Sequence, residues 1–235
     1  MEAAPSLDHL ITDDGQPVDN FFVEKQQRLL TEPVNCSWEG PADGKPFVAA
    51  SNVGLFFEPK NPGFCPDVML SVGVRLGENL KLKPNRSYFV WLLGKVPDVA
   101  IEIVSDLLGG EQGYKMQEYA RQGIPYYVIF DPAEYYKSGV LRVFGLQKGI
   151  YEPLQNAWFD SVGLGVCLWT GIYEATADEW LRWCDRDGRV IPTGKEKIEQ
   201  EAQRAEQEKQ RAEQEAQRAE KLRAQLRALG IDPSA

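Results

Sequence analysis

The chain has 235 residues, 43% apolar and 26% charged, which suits one globular domain with an appendage. Six Trp, nine Tyr and ten Phe supply a core, so whole-chain disorder is excluded. Lys and Arg total 26 against 35 Asp and Glu, a net charge of −9, which argues against coating nucleic acid or anionic membranes through bulk charge. A small basic or metal-neutralised cleft stays open.

The four cysteines, Cys36, Cys65, Cys167 and Cys184, form no C-x-x-C pair, which disfavours a zinc ribbon. Met1 to Leu10 carries acids and a proline in place of a basic-then-apolar leader. No apolar run approaches the roughly 20 residues that span a bilayer. The expectation is a cytoplasmic protein with reduced thiols and no membrane partner. The single histidine, His9, excludes a Ser-His-Asp triad, a Cys-His pair and a His-rich metal site. No G-x-S-x-G elbow, phosphate-binding loop or dinucleotide fingerprint stands in the chain. Any catalysis therefore rests on carboxylates, lysines and a hard metal ion.

Three parts are expected: a flexible N-terminal segment over 1–20, a body over 21–194 and a helical tail over 195–235. Phe21 to Leu30 reads as the first helix, ended near Pro33. Phe47 to Phe57 reads as strand with a break at Asn52-Val-Gly54. Pro66 to Val74 is a strand entered through a proline, and Tyr88 to Leu93 is another. Asp98 to Val104 is a strand, Glu111 to Gln122 a helix capped by Gly123, and Pro125 to Phe130 a strand. Strand, helix, strand makes a right-handed crossover with parallel strands. Val140 to Phe144 and Gly149 to Leu154 read as a hairpin, and Ile172 to Trp183 as a short element packed back onto the sheet. The body is thus α/β, an α+β arrangement on a mixed sheet. From Lys195 a seven-residue repeat places Ala205, Ala212, Ala219 and Leu226 in one register, sharpened by Leu222 and Leu229. A helix of about ten turns follows, either solitary and solvated or paired as a coiled coil.

One charge stands where it should not. Glu102 lies between Ile101 and Ile103 in a run that a parallel sheet buries. A buried carboxylate costs several kcal/mol unless it is paired or binds a cation. Strand parity puts Ala100, Glu102 and Val104 on one face. Asp67 enters another strand, also after a proline, and two such carboxylates suit Mg²⁺. Helical spacing sets Glu111, Lys115 and Tyr119 on one face. If that face meets Glu102, a lysine joins the carboxylates; otherwise Lys115 is a solvated helix residue.

Asp67 in PDVMLSV, Glu102 in PDVAIEIVS and the run GGEQGYKMQEYARQGIPYYVIFDP resemble the Uma2 family, as do VEKQQRLLTEPVNCSW and the Glu/Gln/Arg-rich tail. The resemblance covers roughly Phe21 to Thr193 and is most specific over Pro97 to Pro132. It implies a PD-(D/E)xK, restriction-endonuclease-like core with a long C-terminal helix. Residue by residue, Asp67 matches the first metal-binding Asp and Glu102 the strand acid. Val104 stands where the common motif has lysine, and Lys115 on the helix takes that place. Glu111 stands where many relatives have Asp, and Glu24 matches an acid on the first helix that can complete such sites. Asp98 is a second Pro-Asp pair, expected only to start its strand. Ser105-Asp-Leu-Leu-Gly-Gly110 departs from the family's S-P-S-T connection.

The chemistry so implied is hydrolysis of DNA phosphodiester bonds with Mg²⁺ (or Mn²⁺). Asp67, Glu102 and the Ile103 backbone carbonyl would hold the ion, with Lys115 catalytic and Glu24, Glu111 and Tyr119 in support. Lys81, Lys83, Arg86 and Lys95, with Arg121, are the candidates for nucleic-acid contact, or simply a soluble loop. Nucleases of this fold that cut both strands are typically homodimers, which the tail would help to form. A reading of another class is a nuclease-fold scaffold without activity, whose helical tail mediates oligomerisation or partner binding.

Overall fold

The computed structural model describes residues 20–228 except Asn61 and Leu108, and leaves out the side chains of Leu226 and Arg227. Expectations for the first nineteen residues, His9 among them, and for Leu226 and Leu229 as seam side chains lie outside the described residues. By internal contacts the chain divides between Ile191 and Pro192 into two compact units.

The first unit opens with helix α1 (Phe21–Cys36), capped by the Asn20 side chain, which accepts the Val23 N–H at 2.9 Å. It runs straight through Pro33, where the sequence suggested an end. Pro33 forfeits a helical hydrogen bond, which costs about 3 kcal/mol. Leu29, Leu30 and Val34 are fully buried beneath the same helix, and each such side chain contributes about 1.5–3 kcal/mol. Burial wins.

Strands β1 (Phe47–Ser51) and β2 (Leu55–Phe56) are separated at Asn52, whose φ is +51°. Strand β3 (Val68–Val72) follows, then β4 (Tyr88–Phe89). The strand expected to continue to Leu93 instead turns into a short helix, α2 (Val90–Leu93), closed by left-handed Gly94. Then come β5 (Val99–Ile103), α3 (Tyr114–Gln122) and β6 (Tyr126–Phe130). Helix α3 starts three residues later than its spacing suggested and ends on Gly123 at φ +83°. Strands β7 (Leu141–Gln147) and β8 (Ile150–Pro153) make the expected hairpin, with Lys148 and Gly149 both at positive φ.

The six strands order as β1-β3-β5-β6-β7-β8. Only β5 and β6 are parallel, joined across α3, and the other neighbours are antiparallel. The alternation of β5 splits two cores. Val99, Ile101 and Ile103 pack with Leu30 and Val34 of α1, while Ala100 and Val104 pack with Tyr119 of α3. Glu102 therefore faces α3. The chain ends this unit differently from expectation. Ile172 to Trp183 belongs to a long hairpin, β10 (Leu164–Tyr173) and β11 (Thr176–Cys184), which pairs with β9 (Trp158–Phe159) in a separate sheet. Its turn residues, Glu174 and Ala175, both take positive φ without any glycine to announce it.

The second unit holds helix α4 (Gly194–Ala228), about 52 Å long at 1.5 Å per residue. Its start is a capping box: the Glu196 N–H donates to Thr193 Oγ1 and the Thr193 N–H donates to Glu196 Oε2. Ala205, Ala212 and Ala219 are all exposed, and Leu222 is half-exposed.

Candidate functional site

Register builds the site. Strand β3 pairs with β5 so that Val68 faces Ile101 and Met69 faces Ala100. One step further, Asp67 stands across from Glu102. On the other side β1 pairs Ser51 with Val68, and the Asn52 N–H donates to the Asp67 carbonyl at 3.2 Å. Asn52, Asp67 and Glu102 thus form a row at one end of the sheet, with side chains on the α3 face.

Each carboxylate is held by two donors. Glu102 is fully buried; its Oε2 accepts from Lys115 Nζ at 2.9 Å and its Oε1 from the Tyr119 hydroxyl at 2.7 Å. Lys115 and Tyr119 are one helical turn apart on α3, which is why both reach one residue. Asp67 Oδ2 accepts the Ile103 amide N–H at 2.7 Å and Oδ1 accepts Gln27 Nε2 at 3.0 Å. Gln27 and Asn52 exchange amide hydrogen bonds, so α1 fixes two of the three residues of the row, Asn52 and Asp67. Lys115 Nζ also lies 3.6 Å from Glu111, whose other oxygen accepts from the Tyr136 hydroxyl at 2.8 Å. The Glu111 carbonyl accepts from Tyr127 at 2.9 Å, which delays the start of α3 and turns the Glu111 side chain inward. Gly109 lies against this carboxylate, where a Cβ would collide with it.

Burial pushes the Glu102 carboxyl up to about 8; Asp67 adds to the shift and Lys115 opposes it. Burial also raises Asp67, against the Ile103 N–H and Lys115. For Lys115 burial lowers the pKa, but Glu102, Glu111 and Asp67 together more than offset it, so the ammonium is held above the ordinary lysine value. Three carboxylates surround one ammonium. Fully ionised, the cluster carries two uncompensated negative charges.

This cluster contains Asp67, Glu102, Lys115, Glu111 and Tyr119, all expected from sequence. Glu24 is elsewhere: both of its oxygens accept from Arg28, which also pairs with Glu174, on the exposed side of α1. The helix contributes Gln27 in its place. Lys95 is also elsewhere. It bonds Asp98 at 2.6 Å and the Val72 carbonyl at 2.9 Å, at the far end of β3 and β5, about 13 Å along the strand from Glu102. Lys81, Lys83 and Arg86 lie on the segment between β3 and β4, with Arg86 Nε donating to the Lys81 carbonyl. Arg121 pairs with Glu118. Ile103 enters through its N–H; the contact made here is with Asp67.

Sequence reasoning missed Gln27, Asn52 and Tyr136. A signal existed for the first: Gln27 occupies an apolar position of α1, between Val23, Leu30 and Val34, and is 4% exposed. Asn52 reads from sequence as a strand break, with nothing to mark it as a member of the row. Nothing local marks Tyr136.

The donor set is all oxygen, as a hard divalent ion prefers. Each Asp67 and Glu102 oxygen accepts a hydrogen bond from the chain, and the two carboxyls also lie within hydrogen-bonding reach of each other. With Glu102 ionised, the two surplus negative charges match one divalent cation. Among the described residues no group of three or more His, Cys, Asp or Glu is gathered to cage a metal. The arrangement thus fits an ion held by one or two carboxylates, with water and phosphate completing its shell.

Among the described residues no helix is long and apolar enough to cross a membrane. Comparison with curated proteins returns no match. A family model, Uma2, whose description reads "Putative restriction endonuclease", matches residues 15–163. The match spans α1 through β9 and every residue of the carboxylate cluster, stopping before the β10–β11 hairpin. With a mixed α/β body, a mixed sheet and a long C-terminal helix, the chain belongs to the Uma2 family, which is restriction-endonuclease-like.

Proposed function

We propose that the protein is a metal-dependent endonuclease that hydrolyses phosphodiester bonds of DNA. The observation that carries this is the cluster of Asp67, Glu102 and Glu111 around the single ammonium of Lys115. Asp67 and Glu102, with the Ile103 carbonyl, would hold Mg²⁺ or Mn²⁺. Such an ion supplies Lewis acidity at the phosphate and acidifies water. The chain supplies the rest. Tyr119 fixes the Glu102 carboxylate, Gln27 and the Ile103 N–H fix Asp67, and Glu111 is a second carboxylate partner of Lys115. Lys115 offsets the charge that develops on the phosphate and orients the attacking water. The lysine needs no place on β5, because the face of α3 brings it to the same carboxylate.

The working parts are the body over 21–194 and the tail over 195–235, acting in the cytoplasm as a homodimer that the tail helps to pair. Light scattering on the full chain at micromolar concentration tests this; a monomer contradicts it. One observation favours a second reading, an inactive scaffold with a partner-binding tail: both Glu102 oxygens are already engaged by protein donors. Cleavage of plasmid and single-stranded DNA in Mg²⁺ or Mn²⁺ separates the two. The nuclease reading expects cleavage that EDTA, Glu102→Gln and Lys115→Ala each abolish. A folded wild type that cuts neither substrate in either metal contradicts it.

A further inference from the structure

Beside the carboxylate row lies a cavity of about 250 Å³. It is lined on the sheet by Val48, Ala50 and Met69, and elsewhere by Leu80, Ser87 and Tyr88. Met69 is two residues from Asp67 on β3 and faces the same way, so the cavity begins about 7 Å from the carboxylates. The space is a cleft half open to solvent, so a ligand can enter it from the surface. It falls just short of the 300–1,000 Å³ that drug-sized ligands fill, which suits a single ring system.

Three further observations identify that occupant. The Ser87 hydroxyl is 4% exposed and has no hydrogen-bond partner among the described residues, although buried polar groups are nearly always satisfied. Lys81, Lys83 and Arg86 lie on the segment that closes the cavity, and Lys81 and Arg86 are exposed. Leu80 and Leu82 on that segment are more than half exposed, apolar surface at the rim of a charged loop. Cations outside, apolar walls within and one unsatisfied hydroxyl match a nucleotide: phosphodiester charge at the rim, a flat apolar ring inside and an edge to hydrogen-bond.

We infer that this cavity receives one nucleobase of the substrate strand, unstacked from its neighbours and placed beside the bond held at Asp67 and Glu102. The inference rests on the nuclease reading for its substrate class and gives that site a means of reading a base. Ser87 bonds the edge of the base, the aliphatic side chains cover its faces, and Arg86 and Lys81 hold the flanking phosphates. Extruding a base is least costly where the strand is single or mispaired, so unpaired DNA is the preferred substrate.

The test uses the full chain and a single-stranded oligonucleotide carrying one 2-aminopurine, in Ca²⁺ to hold hydrolysis back. The expected result is a several-fold rise in 2-aminopurine emission on binding. Ser87→Ala should weaken affinity about tenfold and Ala50→Phe, which fills the cavity, should remove the emission rise. Circular dichroism checks the fold of Ala50→Phe; Ser87→Ala removes one oxygen and serves if the larger change does not fold. Binding and emission unchanged in Ser87→Ala overturn the inference, and so does an oligonucleotide that does not bind at all. Failure of the nuclease reading is seen separately: emission that rises and depends on Ser87, in a protein that never cleaves in Mg²⁺ or Mn²⁺, keeps the base pocket and removes the hydrolytic role.

Discussion

The sheet carries a Pro-Asp and a lysine–carboxylate pair at each end of the same two strands, and the two ends are not alike. At one end Asp98 accepts the Val72 N–H at 2.7 Å and Lys95 at 2.6 Å. Among the described pairs, one lysine meets one carboxylate there and the charges cancel. At the other end Lys115 is shared by Glu102, Glu111 and Asp67, and burial pushes Glu102 up to about 8. The first pair closes off the start of β5. The second is short of positive charge around a fully buried Glu102, while Lys115 keeps a partly exposed side chain. The same residue types, in the same strands, make a structural tie when balanced and, in the function proposed above, a cation site when not.

The comparison can be broken most severely at Glu102. Glu102→Gln should lower hydrolysis at least a hundredfold, whereas Asp98→Asn should leave hydrolysis within a few-fold of wild type and cost roughly 1–3 kcal/mol of stability. Cleavage rates and urea unfolding measure the two. Equal losses of activity at both ends would erase the distinction.

A pH scan of the metal-free protein sharpens it. The Glu102 carboxyl has a folded value of about 8 against an ordinary 4.5, so the folded state binds the extra proton. Below about 4.5 both states are protonated and the group contributes nothing. As pH rises toward 8 the unfolded state gives up its proton first, and stability falls by on the order of a few kcal/mol. Glu102→Gln lacks this slope, so its stability relative to wild type should climb across that window. Parallel curves would show that Glu102 ionises without penalty. A smaller contrast compares the lysines: Lys115→Ala should cost about a hundredfold in rate, and Lys95→Ala about 1 kcal/mol in stability with little change in rate.

Much of this end was legible in the sequence because the signal was a violation. A glutamate inside Val-Ala-Ile-Glu-Ile-Val has to be paired or bind a cation, and the 3.6-residue spacing of α3 already grouped Glu111, Lys115 and Tyr119. The crossover was legible too, since apolar run, helix and apolar run leave little choice of topology. What escaped was set by tertiary context. Glu24 and Gln27 are three residues apart on α1, and only packing decided that Gln27 turns to Asp67 while Glu24 goes to Arg28. Lys95 reads from sequence as a nucleic-acid contact or part of a soluble loop, because Asp98 three residues on is expected only to start its strand. The hairpin of β10 and β11 was missed because its turn is Glu174-Ala175, residues that seldom take positive φ. Pro33 was overruled by the burial of its neighbours.

Mn²⁺ binding to the full chain, followed by electron paramagnetic resonance, tests the central claim most directly. The unbalanced cluster predicts one bound ion per chain, lost in Glu102→Gln and kept in Asp98→Asn. Binding that survives Glu102→Gln, or a folded wild type that binds no Mn²⁺, would contradict it.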